Sequence, residues 1–206
     1  MIILSHRGLW QSAKEKNTKK AFIESFNLGI GTETDLRDSL GQIVISHDMP
    51  KGGEITFEDV LQIMDGRNLL LALNIKADGI SDEIKKLLNK YNHTNYFTFD
   101  MSIPDLVYQI KQEMKIFTGL SDILTKPVLI DKCDGIWLDC FYSDWYNASL
   151  IDEYINNNKK VCIVSSDLHQ RCTKNQWDII KKSKNINSDK LILCTDKPKD
   201  AINFFN

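Results

Sequence analysis

Two carboxylates stand two residues apart in the stretch from Gly31 to Asp48, and a histidine lies near its end. On an extended segment, side chains at positions i and i+2 point to the same side, so Glu33 and Asp35 can converge on one cation. A turn at residues 39–41 predicts a hairpin-like return that brings His47 back toward this pair. Two acids and a histidine at strand ends are the residue types of metal-assisted acid–base chemistry.

The elements that must position these groups are about eight short apolar strands, each followed by a helical or partly helical segment. Leu69–Leu73 is a nearly continuous apolar run, typical of a parallel strand that is covered on both faces. Thr18 and Thr56 are placed to cap helices. This alternation favours a parallel sheet with right-handed crossovers. It predicts a compact (β/α)8 TIM barrel formed as a single domain over residues 1–206, with an open doubly wound sheet as the alternative.

The positions of the polar residues favour the barrel. Polar side chains follow the predicted strands at their carboxyl ends. They are His6, Glu33, Asp35, Asn74, Lys76, Asp100, Asp139, Ser166 and Asp196. In an α/β barrel such positions ring one mouth, where the active site lies, whereas an open sheet would spread them along an edge.

The composition excludes several classes of protein. The 206 residues are 42% hydrophobic and 26% charged, with a net charge of −2 and no basic block, which argues against a nucleic-acid or anionic-membrane partner. We see neither a signal peptide nor a membrane span, so we expect a cytoplasmic protein. The five cysteines lack the spacing of a zinc site, and we expect reduced, buried thiols.

The motifs of the first 80 or so residues resemble those of the glycerophosphodiester phosphodiesterase family, in the phospholipase C-like phosphodiesterase superfamily. The matching motifs, in the family's order and spacing, are Ser5-His6-Arg7-Gly8, Asn17-Thr18, Gly31-x-Glu33-x-Asp35, Gly41, His47-Asp48 and Lys76. The resemblance implies an α/β barrel that hydrolyses a small glycerophosphodiester, or a related sugar phosphodiester, with a divalent metal and two histidines.

The resemblance also implies roles for single residues. His6 and His47 correspond to the general acid–base pair, and Arg7 corresponds to the arginine that contacts the phosphate. The physical demands agree, because a cation together with Arg7 and Lys76 can stabilise the charge that develops on the phosphate oxygens. An imidazole titrates near pH 6.5, so one can accept a proton while the other donates one.

The expected metal site departs from the family pattern. The resemblance implies Glu33 and Asp35 as ligands of Mg²⁺ or Ca²⁺, but Asn74 stands where the family usually has the glutamate of a Glu-x-Lys motif. An asparagine oxygen suits either ion yet compensates less charge. Three outcomes stay open: Asn74 is the third ligand, Asp139 or Asp100 supplies a carboxylate from a neighbouring strand end, or no metal binds.

Three functions therefore compete: a metal-dependent phosphodiesterase, a metal-free, lyase-like phosphodiesterase that leaves a cyclic phosphate, and a non-catalytic barrel that binds a phosphorylated ligand. The presence of both motif histidines argues against the last. Of the other histidines, His93 is expected to be structural, and His169 either belongs to the site or caps a helix. Asp48 could orient His47, although adjacent side chains on a strand diverge.

Overall fold

The computed structural model describes residues 1–206, and its elements alternate along the chain. The strands are β1 Ile2–His6, β2 Gly31–Ser39, β3 Gln42–Ile45, β4 Leu71–Ile75, β5 Tyr96–Phe99, β6 Phe117–Leu120, β7 Gly135–Leu138, β8 Lys160–Val164 and β9 Leu191–Thr195. The helices are α1 Lys19–Asn27, α2 Phe57–Met64, α3 Ser81–Lys90, α4 Ile103–Lys111, α5 Ala148–Asn156, α6 Lys174–Lys181 and α7 Pro198–Phe205. Short 3₁₀ turns occupy Ala13–Glu15, Ile130–Lys132 and Ser166–His169.

Eight strands form the barrel sheet in the order β5-β4-β2-β1-β9-β8-β7-β6. A parallel bridge also joins Thr98 of β5 to Ile116, the residue before β6, and the Thr98 N–H donates to the Lys115 carbonyl at 2.9 Å. The predicted (β/α)8 TIM barrel is confirmed, and the open doubly wound alternative is wrong.

The ninth strand, β3, pairs antiparallel with β2 outside the barrel order. Ser39 pairs with Gln42 across a two-residue turn in which Leu40 and Gly41 have φ angles of 50° and 78°. Two positive φ angles are the signature of a type I′ hairpin turn. The hairpin predicted at residues 39–41 is therefore confirmed.

The chain divides into two compact units, one formed by Ser5–Ile116 and the other by Met1–Leu4 with Phe117–Asn206. In the Ser5–Ile116 unit, the Thr18 side chain accepts a hydrogen bond from the Ala21 N–H, and Thr56 forms a capping box with Asp59. These caps satisfy backbone donors that the first turn of a helix leaves unpaired. They fix α1 and α2 where the sequence places them.

The core of the other unit is an apolar cluster between its strands and helices. Leu138, Ile163 and Leu193 contribute from successive strands, and Trp177 of α6 and Ala201 of α7 cover them. Each of these side chains is at most 4% exposed. Burial of this kind is the main favourable term in folding.

The cysteines are all free. Cys133, Cys140, Cys162 and Cys194 are buried, as expected, but Cys172 is exposed, so the prediction of buried thiols is wrong for that residue. Burial raises the pKa of the Cys133 thiol, and likewise that of Cys140, to about 11. None of the helices has the length and apolar character needed to span a bilayer.

Candidate active site

The turn that follows β1 is set by contacts with β2 and α1. The Arg7 N–H donates to the Glu33 carbonyl at 2.9 Å, and the Gly8 N–H donates to Thr32 Oγ1 at 2.8 Å. Gly8 has a φ of +83°, and a Cβ at this position would lie 2.7 Å from Ala21 Cβ. Only glycine fits here, since other residues avoid this backbone region and would collide with α1. The turn therefore holds the Arg7 side chain beside β2.

Asp35 is completely buried and surrounded by cationic and amide groups. Arg7 Nε lies 2.8 Å from Asp35 Oδ2, and Lys76 Nζ lies 3.5 Å from Asp35 Oδ1. Asn17 Nδ2 donates to Asp35 Oδ2 at 3.0 Å. Burying a carboxylate is unfavourable unless it has charged and hydrogen-bonding partners of this type. The structure thus brings Arg7, Asp35 and Lys76 together, as the sequence predicts.

Glu33 is also buried, and its Oε2 lies 3.7 Å from His6 Nε2. Burial raises the pKa of the Glu33 carboxyl well above its ordinary value, and the Asp35 carboxylate raises it further. Arg7 and Lys76 act in the opposite direction. The two cations therefore only partly offset the effect of burial on the pKa of Glu33.

Asn74 lies beside Asp35 because β2 and β4 pair in parallel with these two residues in register. Asn74 Nδ2 donates to Asp100 Oδ2 at 3.2 Å, a contact that leaves the amide oxygen as the free end of the side chain. Since β5 follows β4 in the sheet, Asp100 sits at the carboxyl end of the next strand. Position 74 therefore has an amide, hydrogen-bonded to Asp100, where the motif would have a carboxylate.

Three buried oxygens in this group have no hydrogen-bond partner: Glu33 Oε2, Asp35 Oδ1 and Asn74 Oδ1. An unsatisfied buried acceptor is unfavourable by about 1–3 kcal/mol, so a set of three requires an explanation. Hard divalent cations bind such carboxylate and amide oxygens. No group of three histidine, cysteine or acidic side chains is arranged to hold a metal ion, so a cation here would need the Asn74 oxygen.

His47 lies in the loop after β3, and its side chain is half exposed. Its Nδ1 is 2.8 Å from Asp48 Oδ1, and the Arg37 guanidinium donates to its carbonyl at 3.3 and 3.4 Å. Asp48 therefore does orient His47. The divergence expected of adjacent side chains does not apply, because β3 ends at Ile45.

A cavity of about 490 Å³ connects His47 with the turn after β1. Its lining includes Arg7, Asn17, His47 and Asp48. His47 thus shares an open space with the phosphate-binding candidate Arg7, whereas His6 contacts the acid pair directly. All of these residues belong to the Ser5–Ile116 unit.

Asp139 and His169 form a pair within the other unit. Asp139 Oδ1 lies 2.6 Å from His169 Nε2 and accepts a hydrogen bond from the Cys140 N–H at 2.7 Å. The Phe141 ring packs against the imidazole with centroids 5.2 Å apart. His169 is thus held by an acid at a strand end. The role of Asp139 as a metal ligand stays a prediction.

His93 matches the structural role expected of it. It is buried, its Nε2 lies 3.1 Å from the Asn95 carbonyl, and burial lowers the pKa of its imidazole. Asn17 belongs to the motif Asn17-Thr18, but its role was not predicted: its amide bridges Thr34 and Asp35. In the sequence, Asn17 stands directly before the helix cap Thr18. Its φ is +60° in the structure, a backbone region that asparagine adopts more readily than most residues.

The fold is similar to those of three solved structures. A glycerophosphodiester phosphodiesterase from Agrobacterium tumefaciens matches with a TM-score of 0.71 at 15% identity, over 99% of this chain and 98% of that one. An Oleispira antarctica phosphodiesterase in complex with the product sn-glycerol-3-phosphate has a TM-score of 0.68 at 14% identity, over 99% and 96% of the two chains. A glycerophosphoryl diester phosphodiesterase from Parabacteroides distasonis has a TM-score of 0.67 at 12% identity, over 98% and 85%.

No protein-family model and no curated protein matches the chain. The three structural likenesses establish that the chain has the fold of glycerophosphodiester phosphodiesterases. At the level of the fold, the resemblance inferred from the motifs is therefore confirmed.

Proposed function

We propose that the chain is a phosphodiesterase that hydrolyses a small glycerophosphodiester, or a related sugar phosphodiester, by metal-assisted general acid–base catalysis. The observation that carries this proposal is the buried pair Glu33 and Asp35. His6 Nε2 lies 3.7 Å from Glu33, and Arg7 Nε lies 2.8 Å from Asp35. A base, an anion-binding cation and two carboxylates within one unit are the parts that phosphodiester cleavage needs. The fold likeness to glycerophosphodiester phosphodiesterases supports the same reaction.

Arg7 and Lys76 bind the phosphate in this proposal. Both approach Asp35, and both keep part of their side chains exposed, at 19% and 21%. Their charge is thus held at the edge of the buried cluster, where an anion can reach it. A guanidinium also offers paired donors to phosphate oxygens.

A divalent cation, Mg²⁺ or Ca²⁺, fits the residues present, because Glu33, Asp35 and Asn74 each have a buried oxygen that lacks a hydrogen-bond donor. These three side chains would hold it. When bound, the cation supplies charge stabilisation to the phosphate oxygens. Asn74 contributes no negative charge, so we expect moderate affinity.

His6 and His47 transfer protons. One imidazole takes a proton from the nucleophile, and the other protonates the leaving alkoxide. Each lies beside an acidic side chain, Glu33 at 3.7 Å from His6 and Asp48 at 2.8 Å from His47. By analogy with the relative that holds sn-glycerol-3-phosphate, the product is a glycerol phosphate. In this proposal the substrates are diesters derived from lipids, and they are cleaved in the cytoplasm.

Turnover of glycerophosphodiesters by single-histidine variants tests the proposal. We expect His6→Ala and His47→Ala each to lower the turnover rate by about 100-fold or more, the contribution typical of an acid–base group. Each variant should keep the melting temperature of the wild type within a few degrees, which separates loss of chemistry from loss of fold. Near-normal turnover in either variant would remove that histidine from the mechanism.

A metal-free, lyase-like phosphodiesterase is the second candidate, and the contacts of Asp35 favour it. Arg7 and Lys76 already place two positive charges beside this carboxylate. In this reaction a hydroxyl of the substrate attacks the phosphorus and loses its proton, the bond to the alcohol breaks, and the alcohol departs protonated and leaves a cyclic phosphate. Phosphorus NMR distinguishes the two, because a cyclic phosphate formed in EDTA supports the lyase and a linear monoester formed only with metal supports the hydrolase. Ligand binding without any turnover would instead indicate a non-catalytic barrel.

A further inference from the structure

We propose that Asn17 is a positioning residue for Asp35. Its side-chain amide holds one oxygen of the Asp35 carboxylate and so fixes the direction in which the other oxygen is presented to a cation. This role rests on the proposed function, in which Asp35 is a metal ligand, and it adds to that function a residue that acts through the ligand.

The two oxygens of Asp35 differ in their contacts. Oδ2 accepts a hydrogen bond from Asn17 Nδ2 at 3.0 Å, and Arg7 Nε lies 2.8 Å from the same oxygen. Oδ1 is buried without a hydrogen-bond donor and forms an ion pair with Lys76 Nζ at 3.5 Å. The carboxylate is therefore held through one oxygen and offers the other.

The directed hydrogen bond to this carboxylate comes from Asn17 rather than from Arg7. The Arg7 Nε–H has no hydrogen-bond partner, although Nε lies close to Asp35. Hydrogen bonds weaken steeply when the N–H does not point at the acceptor, so Arg7 contributes charge but little direction. The Asn17 contact is the one that restrains rotation of the Asp35 carboxylate about its last side-chain bond.

The orientation of the Asn17 amide is set by its two neighbours on β2. An ionised carboxylate only accepts hydrogen bonds, so the NH₂ end of the amide has to face Asp35. The other end, Oδ1, accepts a hydrogen bond from Thr34 Oγ1 at 2.9 Å. A flipped amide would place its oxygen against the carboxylate, and this arrangement is excluded by repulsion.

The backbone holds Asn17 where its side chain reaches β2. The Asn17 N–H donates to the Arg7 carbonyl at 3.0 Å, which joins the residue to the turn after β1. The next residue, Thr18, caps α1. Because both sides of Asn17 are anchored, the position of its amide does not depend on a bound ion.

Metal binding by the Asn17→Gly variant tests this role with Mg²⁺ or Ca²⁺ alone. Glycine adopts a positive φ without strain, so the change removes the side chain and keeps the backbone. Loss of a group that orients a metal ligand typically weakens binding by about 10–100-fold, and we expect about tenfold in isothermal titration calorimetry. Asn92→Gly makes the same change at an exposed residue with a φ of 50° and should bind as the wild type does. Equal affinities in the two variants would overturn the inference.

Turnover separates positioning from a general loss of structure. At a metal concentration that half-saturates the wild type, Asn17→Gly should cleave the diester more slowly. Raising the metal in proportion to the weaker affinity should restore most of the turnover and leave KM for the diester unchanged. Asn17 also lines the cavity, so a direct contact with the substrate would instead raise KM. A raised KM, or a loss that excess metal does not restore, would show that Asn17 does not act through Asp35.

Failure of the proposed function is distinguishable from failure of this inference. If the wild type neither binds a metal nor cleaves a diester, the proposed function is wrong, and crystal structures of the wild type and Asn17→Gly then test the positioning role by themselves. We expect the Asp35 carboxylate to be rotated in the variant and to accept a hydrogen bond from the Arg7 guanidinium. The same carboxylate orientation in both structures would show that Asn17 does not position Asp35.

Discussion

Replacing Asn74 with aspartate tests whether its buried oxygen faces a cation. The two side chains have the same shape, so Asn74→Asp changes only an amide nitrogen into a carboxylate oxygen. In the metal-free protein the change is unfavourable. The new carboxylate lies beside Asp35 in the strand register and meets Asp100 where Asn74 donated a hydrogen bond at 3.2 Å. The structure also leaves little solvent to screen it, since Asn74 is 7% exposed.

The expected magnitudes follow from these contacts. Loss of the buried hydrogen bond and the added like charge should lower the free energy of unfolding by about 1–3 kcal/mol without metal. A domain of this size loses about 2–4 °C of melting temperature per kcal/mol. With metal, an additional anionic ligand that tightens binding tenfold adds about 1.4 kcal/mol at saturation. The metal-induced rise in melting temperature should therefore exceed that of the wild type by about 3–6 °C.

Thermal unfolding in EDTA and in increasing Mg²⁺ or Ca²⁺ measures both effects. Asn92→Asp, the same chemical change at an exposed loop position, should show neither. The double variant Asn74→Asp with Asp100→Asn exchanges amide and carboxylate and should recover metal-free stability, because the amide introduced at position 100 can donate to the new acid. A metal-induced shift in Asn74→Asp no larger than that of the wild type would refute the reasoning, since the oxygen at position 74 would then not contact the cation.

Three further predictions concern the fold. Gly8→Ala should lower the free energy of unfolding by about 1–3 kcal/mol in chemical denaturation, since its Cβ would lie 2.7 Å from Ala21. The free energy of unfolding should decrease as the pH falls below 6.5. Burial lowers the pKa of His93 below that value, so between the two pKa values only the unfolded chain binds the proton. In urea unfolding, the His93→Gln variant should show a shallower decrease with pH. A thiol reagent should label Cys172 rapidly in the native protein and all five cysteines only after unfolding, as counted by mass spectrometry.

The barrel could be predicted because its signals are local. Apolar runs of strand length, helix caps at Thr18 and Thr56, and the turn at Leu40-Gly41 each report on a few neighbouring residues. The limits of β6 could not be fixed in the same way. The apolar run suggests residues 115–118, but the strand is Phe117–Leu120 because its register is set by pairing with β7.

The site was predictable where one strand carries it. Glu33 and Asp35 lie on the same side of β2, as their spacing requires. The partners of Asn74 and Asn17 were not predictable, since Asp100 and Asp35 lie 26 and 18 residues away and meet them only through the sheet and the turn after β1. The contact between His47 and Asp48 was obscured because the sequence does not show that β3 ends before them.

The proposed metal-assisted cleavage of a phosphodiester would be visible directly in the phosphorus products. The most direct measurement is phosphorus NMR of the neutral diester with glycerol as its alcohol, incubated with the purified protein in Mg²⁺, in Ca²⁺ and in EDTA. We predict that the diester resonance is replaced by that of a linear phosphomonoester with at least one of the metals and persists in EDTA. A diester that remains intact under every condition, or that disappears equally fast in EDTA, would contradict the proposed metal-assisted reaction.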